Sequence, residues 1–206
     1  MSKRITMSVP DHQKLTVAEF LDAVLGEEGR FELVDGVAYA MAGAKQGHNV
    51  IGSNVQTALV PAGKKSGCRT TSSDTGVQTG PNTVRYPDIV VDCGPPNPSA
   101  TTASQPTIIV ELSSPGTAVF DHGAKLREYQ SIPSVQVVVQ IESEIVPVKA
   151  HRRFGADWIE ETYESLEDSI ELPALATALS LREVYDTLEV RPRVRLQVIR
   201  EQHPTR

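Results

Sequence analysis

Apolar residues recur at three- and four-residue spacing in two early stretches of this 206-residue chain. In TVAEFLDAVLG, Val17, Phe20, Leu21 and Val24 fall on one face, the spacing of an amphipathic helix. Thr16 with Glu19 three residues later forms a capping-box signature, and Gly26 stops the run, which predicts a helix over 16–25. His48, Ile51, Val55, Ala58 and Leu59 repeat the pattern and predict a helix over 46–65, with Pro61 expected to end or kink it. Between the two, Asp35-Gly36 separates β-branched and aromatic residues, a hairpin signal. Residues 31–34 and 37–41 are therefore expected to pair as antiparallel strands.

From Cys68 the pattern changes to short strands, expected at 68–71, 75–79 and 86–92. The uncharged, Pro-rich GPPNPSATTASQ at 94–105 reads as a loop. PTIIVELSS is a β-branched apolar run of the kind found in buried central strands. A helix is expected from Thr117 to Ser131, then a second buried strand in SVQVVVQIE, a hairpin-like pair at 145–152 and 157–163 around Gly155, and a last helix over 181–188 capped by Ser180. Helices and strands mixed in this way predict an α/β (α+β mixed) fold, a mixed central sheet flanked by helices.

A hydrophobic content of 39% is enough for one core, although only 5% of residues are aromatic. One domain is expected over 15–189, after an N-terminal extension (1–14) and before an Arg-rich tail (190–206). No apolar run approaches the roughly 20 residues of a membrane span, so no membrane association is expected. No secretory signal is visible at the start, and only Cys68 and Cys93 are present. A disulfide framework and a thiolate zinc site are not expected, and a reducing cytoplasm is the simplest setting.

The net charge of −6 argues at first against a nucleic-acid partner, but it is unevenly distributed. Residues 157–189 hold ten acids against the single base Arg182, whereas 1–156 carry only −1 and 190–206 carry +4. The surplus acid belongs to one late segment.

Three carboxylates stand in unusual places. Asp88 follows Pro87 at the start of YPDIVVD, Glu111 interrupts the apolar run IIVELSS, and Glu32 lies in the first strand. Strand alternation puts Thr107, Ile109, Glu111 and Ser113 on one face. A carboxylate there is costly to desolvate unless a cation, a shared proton or a metal ion compensates; the plainer reading is a strand end emerging into solvent. Asp88 and Glu111 lie on successive strands, and two neighbouring acids suit a hard divalent cation with oxygen ligands. Lys125, in the following helix, is a candidate for handling the water or the developing charge. Its plainer reading is a solvated pair with Asp121 or Glu128. For His48 the plainer reading is a packed histidine, and for Glu32 a place on the open face of a hairpin.

The ordered series FELVDG, a helix containing His48, RYPDIVVD, VELSSP, D-x3-KLREY and IPSV resembles the Uma2 (DUF820) family, within the PD-(D/E)xK nuclease-like superfamily, over about residues 15–185. The resemblance implies a restriction-endonuclease-like core and a Mg2+ (or Mn2+) ion held by Asp88 and Glu111, with Glu32 completing the site. The superfamily usually has a Lys two residues after the second acid. Here that position is Ser113, and the resemblance implies that Lys125 takes over from the helix, with Asp121 one turn before it and Tyr129 one turn after it. SVQVVVQ departs from the aromatic-rich stretch that the family often has after IPSV.

The function so implied is Mg2+-dependent endonucleolytic hydrolysis of DNA, with a homodimer as the natural assembly for cutting a duplex. Two alternatives stay open. One is a catalytically inactive nuclease-fold protein that acts as a nucleic-acid or protein interaction module; the other is a metal-dependent hydrolase of small phosphoesters. Phosphate neutralisation normally takes several Lys or Arg, and the region near the site supplies few beyond Arg85, Lys125, Arg127 and Lys45.

Overall fold

The computed structural model describes residues 14–25, 29–113 and 118–190, with the backbone alone described for 118–122. The elements run α1 (Val17–Val24), β1 (Phe31–Val34), β2 (Val37–Ala40), α2 (Gln46–Lys65), β3 (Arg69–Ser72), β4 (Val77–Gly80), β5 (Thr83–Arg85), β6 (Ile89–Asp92) and β7 (Pro106–Ser113). They continue with α3 (Ala118–Ser131), β8 (Val137–Glu142), β9 (Val148–Phe154), β10 (Asp157–Tyr163), β11 (Ser169–Leu172), β12 (Thr177–Ser180) and the short α4 (Leu181–Val184).

Two sheets carry the architecture. One has four strands in the order β2-β1-β5-β4; the other has six, β10-β9-β8-β7-β6-β3, and β11 and β12 form a separate pair. The six-stranded sheet is mixed, because β7 and β8 run parallel while its other neighbours are antiparallel. A parallel pair needs a crossover connection, and α3 lies in that connection.

Alternation along β7 divides the core. Ile108, Val110 and Leu112 meet Ile51, Val55 and Leu59 of α2 on one face. Ile109 packs with Val90, Val138 and Tyr129 on the other. All eight residues of β7 are buried, each large apolar side chain contributing about 1.5–3 kcal/mol. In the four-stranded sheet, Phe20 of α1 seals Leu33 and Val84. The helix starts as its sequence predicts, with Thr16 and Glu19 forming the reciprocal capping bonds. Asp35 and Gly36 both take positive φ, 49° and 85°, as a two-residue hairpin turn of the tight mirror-image type requires.

Several local expectations are corrected. α2 runs on past Pro61 to Lys65. Pro61 is exposed, so the carbonyl it leaves without an amide partner can turn to water. The strand expected over 86–92 starts only at Ile89, as β6, because Pro87 has no amide to give to the ladder, and the separate β5 at Thr83–Arg85 was not expected. β11 and β12, only four residues each, were not expected at all. The last helix ends at Val184 rather than at residue 188.

The cysteines are also corrected. Cys68 and Cys93 form a disulfide. β3 and β6 pair with Arg69 opposite Asp92, so the residues just outside that pair face each other. A count of two excludes a framework of several bridges, but not one bond. The expectation of a reducing compartment rested on the small number of cysteines, and the bond between the two removes that support. Among the described residues, no helix is long and apolar enough to cross a membrane. Gly26, the first 13 residues and the tail from 191 onward lie outside the described residues.

Candidate active site

The site forms where the two sheets meet and α3 covers the junction. β6 and β7 pair antiparallel with Ile89 opposite Val110, and that register carries Asp88 to the level of Glu111. Asp88 is fastened by the backbone of the paired strand: its Oδ2 accepts a 2.8 Å hydrogen bond from the Leu112 amide of β7. His48, in the first turn of α2, approaches its Oδ1 to 3.3 Å. That hydrogen bond outweighs partial burial and raises the His48 pKa.

Glu111 is not a strand end emerging into solvent. It is 6% exposed, on the face of β7 that meets α3. The Tyr129 hydroxyl donates to its Oε1 at 2.5 Å, and Lys125 Nζ lies 3.8 Å away. Four residues separate Lys125 from Tyr129, so one face of α3 presents both. Burial pushes the Glu111 carboxyl up to about 7, opposed by Lys125 and Tyr129 and reinforced by the charges of Asp88 and Glu32. Burial and the Glu111 charge likewise raise the Tyr129 phenol well above its ordinary range.

Glu32 arrives from β1 with both oxygens engaged. Its Oε1 accepts from Lys125 Nζ at 2.8 Å and from the Tyr86 amide at 3.2 Å. Its Oε2 accepts from Arg85 at 3.1 Å. Lys125 is 8% exposed, so it is not the solvated surface lysine considered from sequence. Glu128, the other partner considered for Lys125, is instead gripped by Arg85 in a two-point contact of 2.8 and 2.7 Å and also accepts from Thr79. Burial disfavours the Arg85 charge, but Glu128 and Glu32 outweigh that and raise its pKa.

Ser113, the position at which the family resemblance raised the question of a lysine, is buried and donates to the Ile141 carbonyl across the parallel pair. Its side chain serves the backbone of β8, and the lysine that reaches the cluster is Lys125, from α3. The Asp121 side chain lies outside the described ones. Glu32, Asp88, Glu111, Lys125 and Tyr129 thus belong to one continuous cluster, with His48 at its α2 edge. Sequence reasoning missed Arg85 and Glu128 as organisers. The signal to be had was Arg85 beside the apolar Val84 in a three-residue strand, where an unpaired guanidinium would be costly to bury.

Among the described residues, no group of three or more His, Cys, Asp or Glu is gathered as a metal-binding set. Asp88 and Glu111 nonetheless fit a hard cation. Mg2+ takes only one or two protein carboxylates and keeps several waters, and a buried carboxyl pushed up to about 7 beside a second acid is a site that added positive charge would stabilise.

Comparison with known proteins gives three findings. The model of the Uma2 family, described as "Putative restriction endonuclease", matches residues 17–184. An "Uncharacterized protein slr1290" of Synechocystis sp. (strain PCC 6803) is 29% identical over 176 residues, covering 84% of this chain and 92% of its own. A crystal structure from Anabaena variabilis, described as a "putative nuclease belonging to DUF820", superposes with a TM-score of 0.67 at 18% identity, over 82% of this chain and 97% of that one. The structural likeness establishes the shared fold.

Proposed function

This chain belongs to the Uma2 family, and we propose that it is a divalent-metal-dependent nuclease that hydrolyses DNA phosphodiester bonds. The observation that carries the reading is the position of Lys125. A lysine supplied by α3 reaches two buried carboxylates from two different sheets, 2.8 Å from Glu32 and 3.8 Å from Glu111. Meanwhile the usual lysine position, Ser113, is turned to backbone bonding. The descriptions of the family and of the Anabaena protein, which name an endonuclease and a nuclease, support the same chemistry.

In this reading Asp88 and Glu111 hold the ion, Mg2+ or Mn2+. Such an ion would supply Lewis-acid polarisation of the phosphate and a more acidic bound water. The rest is done by the chain. The Leu112 amide and His48 fix the Asp88 carboxylate. Tyr129 orients Glu111 by donating to one of its oxygens. Lys125 places a cation where charge develops on the phosphate, the kind of preorganised stabilisation that needs no rearrangement during reaction. Glu32 enters as the residue that holds Lys125 and, through Arg85, ties it to the four-stranded sheet; direct coordination by Glu32 would require it to release one of those cations.

A metal-free interaction module is the competing reading, and the engagement of both Glu32 oxygens favours it. Calorimetry separates the two. Mn2+ should bind the native protein and fail to bind Asp88→Ala; no binding to either, or equal binding to both, would remove the nuclease reading. A two-fold homodimer fits cutting of both strands of a duplex, and a monomeric mass in solution would remove that element alone.

A further inference from the structure

The hairpin of β1 and β2 offers the site more than Glu32. In its register Glu32 stands opposite Tyr39, and Val34 opposite Val37, so these four side chains share one face. The opposite face carries Leu33 and Ala38 into the α1 core. On the outer face Glu32 is buried under its cations, whereas Tyr39 is 56% exposed. A cleft of about 450 Å³ opens between them, lined by Glu32, Val34, Tyr39, Met41, Arg85 and Lys125. An exposed aromatic ring and small apolar side chains therefore border the same space as the lysine assigned to the reacting phosphate.

The charges along this cleft argue against a duplex held by its phosphates. Arg85 is paired with Glu32 and Glu128, and Lys125 with Glu32. Strong duplex binding draws on several phosphate-neutralising cations, and here both cations of the cleft already serve carboxylates. Affinity can come instead from the ring, since base–aromatic stacking does not depend on free positive charge. Directly opposed residues of an antiparallel pair have Cβ atoms about 5 Å apart, so a base on Tyr39 would be close to a phosphate at the Glu32–Lys125 end. On the other side of Asp88, a smaller cleft is lined by His48, Asn49, Ser53 and Gln56, groups suited to sugar and phosphate oxygens.

Resting on the nuclease reading of this site, we propose that Tyr39 is the stacking platform for an unpaired nucleobase beside the bond to be cut. The substrate is therefore single-stranded or locally unpaired nucleic acid rather than intact duplex.

The test is binding of a short thymidine oligonucleotide carrying one 2-aminopurine, with Ca2+ in place of Mg2+, to the full chain. The wild type should quench the 2-aminopurine and bind the single strand more tightly than the same sequence in a duplex. Tyr39→Ala should weaken that binding about tenfold or more. Tyr39→Trp and Tyr39→Phe should stay within about twofold of wild type, and Tyr39→Leu, which keeps bulk without a π face, should behave as Tyr39→Ala. Equal binding by Tyr39→Ala, a preference for duplex, or no binding by the wild type would overturn the proposal. So would loss of a dimer in Tyr39→Ala, which would make this face a contact between copies. The two readings fail separately. Stacking without cleavage of any nucleic acid would remove the nuclease reading and leave the platform; cleavage with an unchanged KM in Tyr39→Ala would do the reverse.

Discussion

Arg85 grips Glu128 through two hydrogen bonds of 2.7 and 2.8 Å, and this pair locks the helix that carries Lys125 onto the strand that precedes Asp88. Glu128 lies one turn after Lys125 on α3, while the remaining terminal nitrogen of Arg85 reaches Glu32. The cluster is therefore a chain of alternating charge, Glu128–Arg85–Glu32–Lys125–Glu111, spanning both sheets.

Breaking that chain at Arg85 leaves Glu128 without its cation and Glu32 with Lys125 alone. Removing one partner of a buried pair costs about 3–5 kcal/mol, so Arg85→Met should lower the urea-unfolding free energy by about 3 kcal/mol or more. Arg85→Lys keeps the charge but not the planar fork and should fall between it and wild type. Wild-type stability in Arg85→Met would show that the pair contributes little.

The Glu111 carboxyl sets the pH behaviour of the metal-free protein. Its pKa in the fold, about 7, lies above the ordinary 4.5, so the fold favours its protonated form. Its contribution to stability is complete below about 4.5 and is lost as pH rises through about 7. A bound cation needs the ionised form, so Mg2+ or Mn2+ should raise the melting temperature more at pH 8 than at pH 6. Tyr129→Phe removes a hydrogen bond that favours the ionised form and should move this crossover to higher pH. Glu111→Gln should show little metal effect at either pH. An equal metal effect at both pH values in the wild type would contradict the assignment of Glu111 as a ligand.

The Cys68–Cys93 bond closes a loop with a sequence separation of 25, and the chain-entropy account assigns such a loop about 3 kcal/mol. Reduction with dithiothreitol should lower the unfolding midpoint by a matching amount, and Cys68→Ser/Cys93→Ser should reproduce the reduced protein. Identical midpoints with and without reductant would show that the bond does not stabilise the fold.

How far the sequence reaches depends on how local each signal is. Thr16 with Glu19 and Asp35 with Gly36 act within a few residues, and both form as their types require. The buried β7 run is long enough to identify itself. Pro87 delays the start of β6 to Ile89 and Pro61 fails to end a helix, because tertiary packing decides where a missing amide can be tolerated. The disulfide depends on the β3–β6 register, and Arg85 with Glu128 depends on α3 crossing over a second sheet. No spacing between neighbouring residues carries those pairings. Lys125 was legible only through its resemblance to a family pattern, since a lysine one turn from Asp121 and Glu128 reads equally well as a surface pair.

Cleavage of single-stranded and plasmid DNA with Mg2+ or Mn2+, by wild type, Glu111→Gln and Lys125→Ala side by side, tests the central claim most directly. The account predicts metal-dependent cleavage by the wild type, none by Glu111→Gln, and a loss of about a hundredfold or more in kcat for Lys125→Ala, the scale on which a preorganised charge-stabilising group acts. Full activity in Lys125→Ala, or cleavage that survives Glu111→Gln, would contradict it.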